Sequence, residues 1–151
     1  MEKVIYCPGS WDMLHAGHIN IFRKAKQFGN KLIIGISTDS LIFRYKKVLP
    51  IISYKDRVAV IQDLKYVDGI IKQNTFFNIQ QLKKYKVNVV ILGTDWKGKP
   101  FKELDNAVKK LNIKVIYIPY THRLSSSKIK EKIINNADAI LDAQKARKLN
   151  E

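Results

Sequence analysis

Acidic side chains and cysteine are the scarce groups in this chain of 151 residues. Asp and Glu number 13 against 28 Lys and Arg, a formal net charge of +15. Such a surplus fits an anionic partner: nucleic acid, an acidic membrane surface or a phosphorylated substrate. It fits equally a generally lysine-rich surface, because the lysines are scattered along the chain. The lone cysteine, Cys7, cannot form an internal disulfide, so the fold needs no oxidising compartment. No apolar run approaches the roughly 20 residues that span a bilayer. Met1-Glu2-Lys3-Val4-Ile5-Tyr6 runs straight into a strand pattern, without a basic segment followed by a long apolar one. The expectation is a cytoplasmic single domain with no membrane insertion. Two nucleotide-binding signatures are also missing. There is no Gly-x-x-x-x-Gly-Lys-Ser/Thr, which disfavours a P-loop NTPase. No Gly-x-Gly-x-x-Gly follows the first apolar run, which disfavours a dinucleotide-dependent dehydrogenase.

What the chain does contain is a rhythm. Short runs rich in β-branched residues recur at 4–6, 32–36, 69–71, 89–92 and 115–118. They are nearly continuous, as suits strands buried on both faces of a parallel sheet. Helical spacing fills the gaps: Ile19, Phe22 and Ala25, stopped by Gly29; Val58, Ile61 and Leu64; Phe77, Ile79, Leu82 and Tyr85; Leu104, Ala107, Val108 and Leu111. Strand and helix in alternation predict an α/β fold, a Rossmann-like doubly wound sheet, mostly parallel, of about five strands. Ligands bind such sheets at the carboxyl ends of the strands, where the strand order reverses. The segment Phe43 to Ser53 carries Arg44, Lys46, Lys47 and Pro50 without a period and reads as a mobile loop. A helix is expected from about Ser125 to Asn135. Ala137, Ile140, Leu141, Ala143 and Ala146 then share one side of a last amphipathic stretch. With no repeat or linker, residues 1–135 read as one domain and 136–151 as its helical extension. The apolar face of that extension is the candidate contact for a homodimer.

The first apolar run leads into Gly9-Ser10-Trp11-Asp12-Met13-Leu14-His15-Ala16-Gly17-His18. Two of the three histidines stand three apart, where a strand hands over to a helix. Side chains at i and i+3 share a helix face, so both imidazoles can serve one ligand. Gly9 and Gly17 remove side chains where backbone would approach a phosphate. A helix N-terminus adds free N–H groups and positive dipole character. The bland alternative is a histidine pair packed at a helix start; its position directly after the first strand favours the anion site. Two imidazoles leave a tetrahedral zinc site two ligands short. Asp12 is the candidate for holding a cation, and Mg²⁺ takes phosphate oxygens and water as its main ligands.

The same decapeptide resembles the Gly-Thr-Phe-Asp-x-x-His-x-Gly-His signature of the nucleotidyltransferase superfamily. Tyr54-Lys55-Asp56-Arg57 and Lys65-Tyr66-Val67-Asp68 are similar to the Tyr-x-x-Arg and Arg-Tyr-Val-Asp segments of cytidylyltransferases. Gly93-Thr94-Asp95-Trp96-Lys97-Gly98-Lys99 resembles their Gly-Asp-Asp-Trp-x-Gly-Lys segment. The likeness extends to about Ile133 and is closest to small bacterial members that act on glycerol 3-phosphate. Their Arg-Thr-x-Gly-Ile-Ser-Thr-Thr segment is matched in part. Here Tyr120-Thr121-His122-Arg123-Leu124-Ser125-Ser126-Ser127 puts Tyr120 on the Arg and Arg123 on the Gly. Lys65 likewise replaces an Arg and lacks its bidentate fork.

The resemblance implies transfer of CMP from CTP to a small phosphorylated acceptor. Glycerol 3-phosphate, another phosphomonoester or a phosphorylated amino acid would give a CDP-linked product and pyrophosphate, with Mg²⁺ carried on the CTP phosphates. It implies His15, His18, Lys46 and Ser126 as catalytic groups. Gly9, Ser10, Trp11, Asp12, Gly17, Gly93, Asp95, Trp96, Ser125, Ser126 and Ser127 would surround the nucleotide. Arg44, Lys46, Lys47, Arg57, Lys65, Thr121 and Arg123 would meet the acceptor or the phosphates. Serine hydroxyls at a helix start suit phosphate on their own physics, or serve simply as an N-cap. Two rivals stand beside this reading: an adenylyltransferase of the same superfamily, and a basic nucleic-acid-binding module. The second is disfavoured because aromatics for base stacking are not clustered with the basic residues.

Overall fold

The five apolar runs form β1 (Val4–Gly9), β2 (Lys31–Ser37), β3 (Gly69–Gln73), β4 (Val87–Gly93) and β5 (Lys114–Ile118). The computed structural model describes residues 1–121 and 123–148. Its sheet is wholly parallel, in the order β3-β2-β1-β4-β5. The chain starts at the centre, winds outward to β3, then returns past β1 to β4 and β5. That reversal opens a crevice at the carboxyl ends of β1 and β4. The connections carry α1 (Ala16–Ala25), α2 (Asp39–Lys46), α3 (Tyr54–Gln62), α4 (Ile79–Lys84) and α5 (Lys102–Leu111). After β5 come α6 (Ser126–Asn135) and α7 (Ala137–Lys148).

Successive strand residues alternate between two cores, which is why the runs are continuous. Ile5 and Cys7 of β1 pack with Leu32, Ile34 and Phe22 on one face. Tyr6, on the other, packs with Ile33, Val90 and Leu104. Each fully buried Ile, Leu or Phe contributes about 1.5–3 kcal/mol, so the strands are anchored from both sides.

Two expectations change. Phe43–Lys46 is not loop but the end of α2. Thr38 caps that helix, its Oγ1 accepting the Leu41 N–H at 3.2 Å, and Leu41 and Ile42 are buried. Asp39 in the first turn and Arg44 and Lys46 in the last suit the helix dipole, and Lys47 ends the helix with φ 59°. Gly29 also acts differently. A 3-10 turn over Lys26–Phe28 follows α1, and Gly29 is extended. Its missing side chain is needed because a Cβ would run into the Lys3 carbonyl oxygen.

Ser125 caps α6, its Oγ accepting the Lys128 N–H at 3.2 Å. Ile133 and Ile134 of α6 and Ile140 and Leu141 of α7 are exposed. Among the described residues no helix is long and apolar enough to cross a membrane.

Candidate active site

β1 delivers residues 10–14 into the crevice through a contorted turn. Trp11 and Met13 take φ of 53° and 52°, a region that costs an L-residue roughly 1–2 kcal/mol. Packing holds them there. The Trp11 indole N–H donates to the Gly35 carbonyl at 2.9 Å, and its buried ring meets Phe22 and, edge-on, His18. A Cβ at Gly9 would lie 2.6 Å from the Trp11 ring, and one at Gly17 would lie 2.8 Å from the His15 ring. Both glycines thus make room for the turn's own side chains, whereas the sequence suggested bare backbone for a phosphate.

His15 is the N-cap of α1, its Nδ1 accepting the Gly17 N–H at 3.1 Å. A neutral imidazole that accepts at Nδ1 carries its proton on Nε2. That Nε2 is buried and meets no hydrogen-bond partner, and neither does Nδ1 of His18. The two rings stack with centroids 3.8 Å apart and planes inclined by 22°. Leaving a buried polar atom unpaired costs about 1–3 kcal/mol, so the fold itself gains nothing from these two nitrogens. Burial lowers the pKa of both. For His18 the value falls to about 3, burial and the neighbouring His15 and Lys46 outweighing the Asp12 charge. Both rings are therefore neutral donors at neutral pH, and an arriving polyanion would raise their pKa values.

Asp12 gathers the segments around them. The Ile51 and Ile52 N–H groups donate to its carboxylate at 3.0 and 2.9 Å, and the Lys130 Nζ lies 3.0 Å from Oδ2. Ser126 Oγ donates to the Asp12 carbonyl oxygen at 2.6 Å. Burial raises the Asp12 carboxyl, but the two N–H groups and Lys130 bring it below its usual range. With both oxygens engaged, Asp12 is a clamp within the protein, not an open ligand for a nucleotide or cation. Lys46 stands where the crevice meets a second concavity walled by Ser126, Ser127 and Lys130. Burial and the Lys130 charge lower its pKa.

Other residues singled out in the sequence divide sharply. Ser10, Trp11, Gly93, Asp95 and Trp96 line the crevice. Arg57 does not. It is 2% exposed, and its guanidinium donates to the carbonyls of Ser10, Ser37 and Ile52 and to Asp39 at 2.5–3.0 Å. It ties the ends of β1 and β2 to the segment before α3, with four of its five N–H donors committed within the protein. Lys65 is exposed just before β3, at the edge of the sheet opposite the crevice. Arg44 is exposed and donates to the Asn74 carbonyl, and Lys47 is exposed at the end of α2. Thr121 Oγ1 accepts from Asn20 at 3.3 Å, and Arg123 is exposed in the turn before α6. His122 lies outside the described residues.

A sequence model described as cytidylyltransferase-like matches residues 6–132. The chain belongs to that family. Glycerol-3-phosphate cytidylyltransferase of Bacillus subtilis (strain 168) is 36% identical over 135 residues, covering 88% of this chain and 98% of the relative. The enzyme of the same name from Staphylococcus aureus is 33% identical, covering 88% and 96%. Among solved structures, a lipopolysaccharide core biosynthesis protein from Thermoplasma volcanium superposes with a TM-score of 0.64 at 27% identity. That match covers 80% of this chain and 98% of that one.

Tyr120 also closes on the crevice. The residue standing on the family's Arg lies over Gly93, where a Cβ would collide with its hydroxyl. The hydroxyl bonds the Asp95 carboxylate, and burial together with the Asp95 charge raises the phenol's pKa. Beside it, Phe76 meets Trp96 and Tyr45 with ring centroids 5.7 and 5.0 Å apart. Tyr45 and Lys130 escaped the sequence reading. Tyr45, whose hydroxyl bonds Ser10 and Ser37, was hidden by reading its segment as loop. Lys130 had a usable signal, standing four residues after Ser126 on the same helix.

Proposed function

We propose that the crevice binds CTP and transfers its CMP to the phosphate of a small acceptor of the glycerol 3-phosphate class, releasing pyrophosphate. The observation that carries this reading is the stacked pair His15 and His18, each with a buried nitrogen lacking a partner, at the carboxyl end of β1. Names of the relatives supply the nucleotide and the acceptor class.

A phosphate monoester is already a nucleophile at pH 7. One of its oxygens attacks the α-phosphorus of CTP; that O–P bond forms as the bond to the α,β-bridging oxygen breaks, and the electron pair leaves with pyrophosphate. No covalent enzyme intermediate is needed. The protein's task is to align two mutually repelling polyanions and to stabilise the charge that builds at phosphorus. His15 would donate from Nε2 and His18 from its ring to phosphoryl oxygens. Lys46, Lys130, Ser126 and Ser127 would receive the β- and γ-phosphates in the adjoining concavity. Asp95, Trp96 and Tyr120 would border the nucleoside, with Tyr45, Arg44 and Lys47 nearer the acceptor. Bound Mg²⁺ would neutralise triphosphate charge and ease departure of pyrophosphate. The donor set suits a cation that arrives on phosphate oxygens, since no three His, Cys, Asp or Glu side chains converge among the described residues and Asp12 is engaged. Ile133, Ile134, Ile140 and Leu141 would be covered in a homodimer, which sedimentation velocity tests; a concentration-independent monomer would reject it.

The deciding assay supplies CTP, Mg²⁺ and pyrophosphatase with a panel of phosphorylated small molecules. Phosphate release with CTP and glycerol 3-phosphate is expected. ATP working where CTP fails would end the cytidylyl reading.

A further inference from the structure

The crevice accounts for few of the surplus positive charges, and we propose that the opposite edge of the sheet carries a lysine platform that docks on an anionic lipid surface. Six lysines converge where β4 and β5 begin. Lys83 and Lys84 close α4 and Lys86 precedes β4, while Lys109 and Lys110 close α5 and Lys114 opens β5. α4 packs on α5, and Lys114 is the register partner of Val89, so the six share one corner. All six are exposed, and none enters an ion pair among the described residues. Residues 69–94 and 106–130 contain no Asp or Glu. The other half of this edge is balanced: Lys31 pairs with Glu2 at 3.2 Å and Lys26 with Asp68. The charge is therefore concentrated, not an even coat.

Lysines in a last helical turn offset the helix dipole, which explains part of the cluster. It does not explain Lys86 and Lys114, which lie outside the helices. Lys86 holds φ 52°, where glycine or asparagine would sit with less strain.

The chemistry selects the partner. All six residues are Lys and none is Arg. Compact ammonium groups on flexible stems suit a diffuse, laterally mobile array of lipid phosphates; nucleic-acid readers favour the rigid guanidinium fork. Tyr85, 36% exposed among them with the Lys84 ammonium 5.8 Å from its ring centre, has the amphipathic build of an interfacial residue. At about 3.3 Å per residue, β4 puts the crevice roughly 20 Å from this platform, opening away from the surface. Docking leaves the crevice free.

The test is co-sedimentation of the whole protein with vesicles of phosphatidylglycerol and phosphatidylcholine, against phosphatidylcholine alone, at about 0.1 M salt. The wild type is expected to bind only the anionic vesicles. At the strength typical of each Lys near such a surface, Lys83→Glu/Lys84→Glu/Lys109→Glu/Lys110→Glu should bind at least a hundredfold more weakly. The same four positions changed to Gln give a gentler version should the reversal disturb folding, which thermal melting reads. Lys132→Glu/Lys145→Glu/Arg147→Glu/Lys148→Glu alters net charge equally on α6 and α7 and should bind like the wild type. Wild type indifferent to phosphatidylglycerol, equal loss in both quadruple variants, or tighter binding of duplex DNA through the same four lysines would each overturn the proposal.

Discussion

His15 and His18 lie ring against ring, with centroids 3.8 Å apart, and each leaves one buried nitrogen without a partner. Groups built for the fold would be satisfied by it. His15→Ala and His18→Ala should therefore each lower kcat for pyrophosphate release about 10²–10³-fold, the usual cost of one preorganised donor. Stability should change little, by roughly 1 kcal/mol at His15 for loss of the cap. Paired kinetics and thermal melts check this; normal turnover in both variants would remove the proposed chemistry.

The same burial makes the protein acid-sensitive. Both rings titrate lower when folded than the unfolded value of about 6.5, so their contribution is complete above that pH. It is lost as pH falls from 6.5 toward the folded value of about 3 for His18. The nucleotide-free protein should lose on the order of 1–2 kcal/mol from His18 by pH 5, and His18→Gln should flatten that slope. CTP, by favouring the charged rings, should take up protons on binding. Calorimetry at pH 6 in two buffers of different ionisation heat reads the uptake, and identical heats would contradict it.

Arg57 and Lys65 sit in similar motif segments and should behave oppositely. Arg57→Ala leaves three backbone carbonyls without their donor and strips the Asp39 carboxylate of its cation, a largely buried network whose loss costs about 3–5 kcal/mol. Its melting temperature should collapse. Arg57→Lys should recover part of the stability but not the geometry at Ser10. Lys65→Ala, exposed at the far edge, should leave melting and turnover within error of the wild type.

The contrast marks how far the sequence was legible. Continuous β-branched runs disclosed all five strands, because a parallel sheet covered on both faces leaves no polar alternation to confuse the pattern. The histidine pair was legible because strand, glycine-bearing turn and helix start are local. α2 was missed: its buried residues, Leu41 and Ile42, are adjacent and too few to show a period, although Thr38 followed by Asp39 announces a cap. Asp12 and Arg57 were misjudged for another reason. A charged residue in a motif looks the same whether it meets a ligand or holds loops 40 residues apart in sequence, as Asp12 does with Ile52. Only tertiary contacts separate the two.

Lys130 gives the sharpest remaining test of where the triphosphate tail lies. Its ammonium rests 3.0 Å from Asp12, yet Asp12 already accepts two backbone N–H groups, so removing the lysine should cost less than 1 kcal/mol of stability. Its charge, with that of Lys46, borders the concavity assigned to the β- and γ-phosphates. Lys130→Ala should raise KM for CTP about tenfold, the scale of one charge-assisted contact. Inhibition by added pyrophosphate should weaken in proportion, while KM for the phosphorylated acceptor stays unchanged. Full steady-state kinetics with pyrophosphate as product inhibitor distinguishes the cases. A rise confined to the acceptor KM would move the leaving group out of this concavity and put the acceptor there instead.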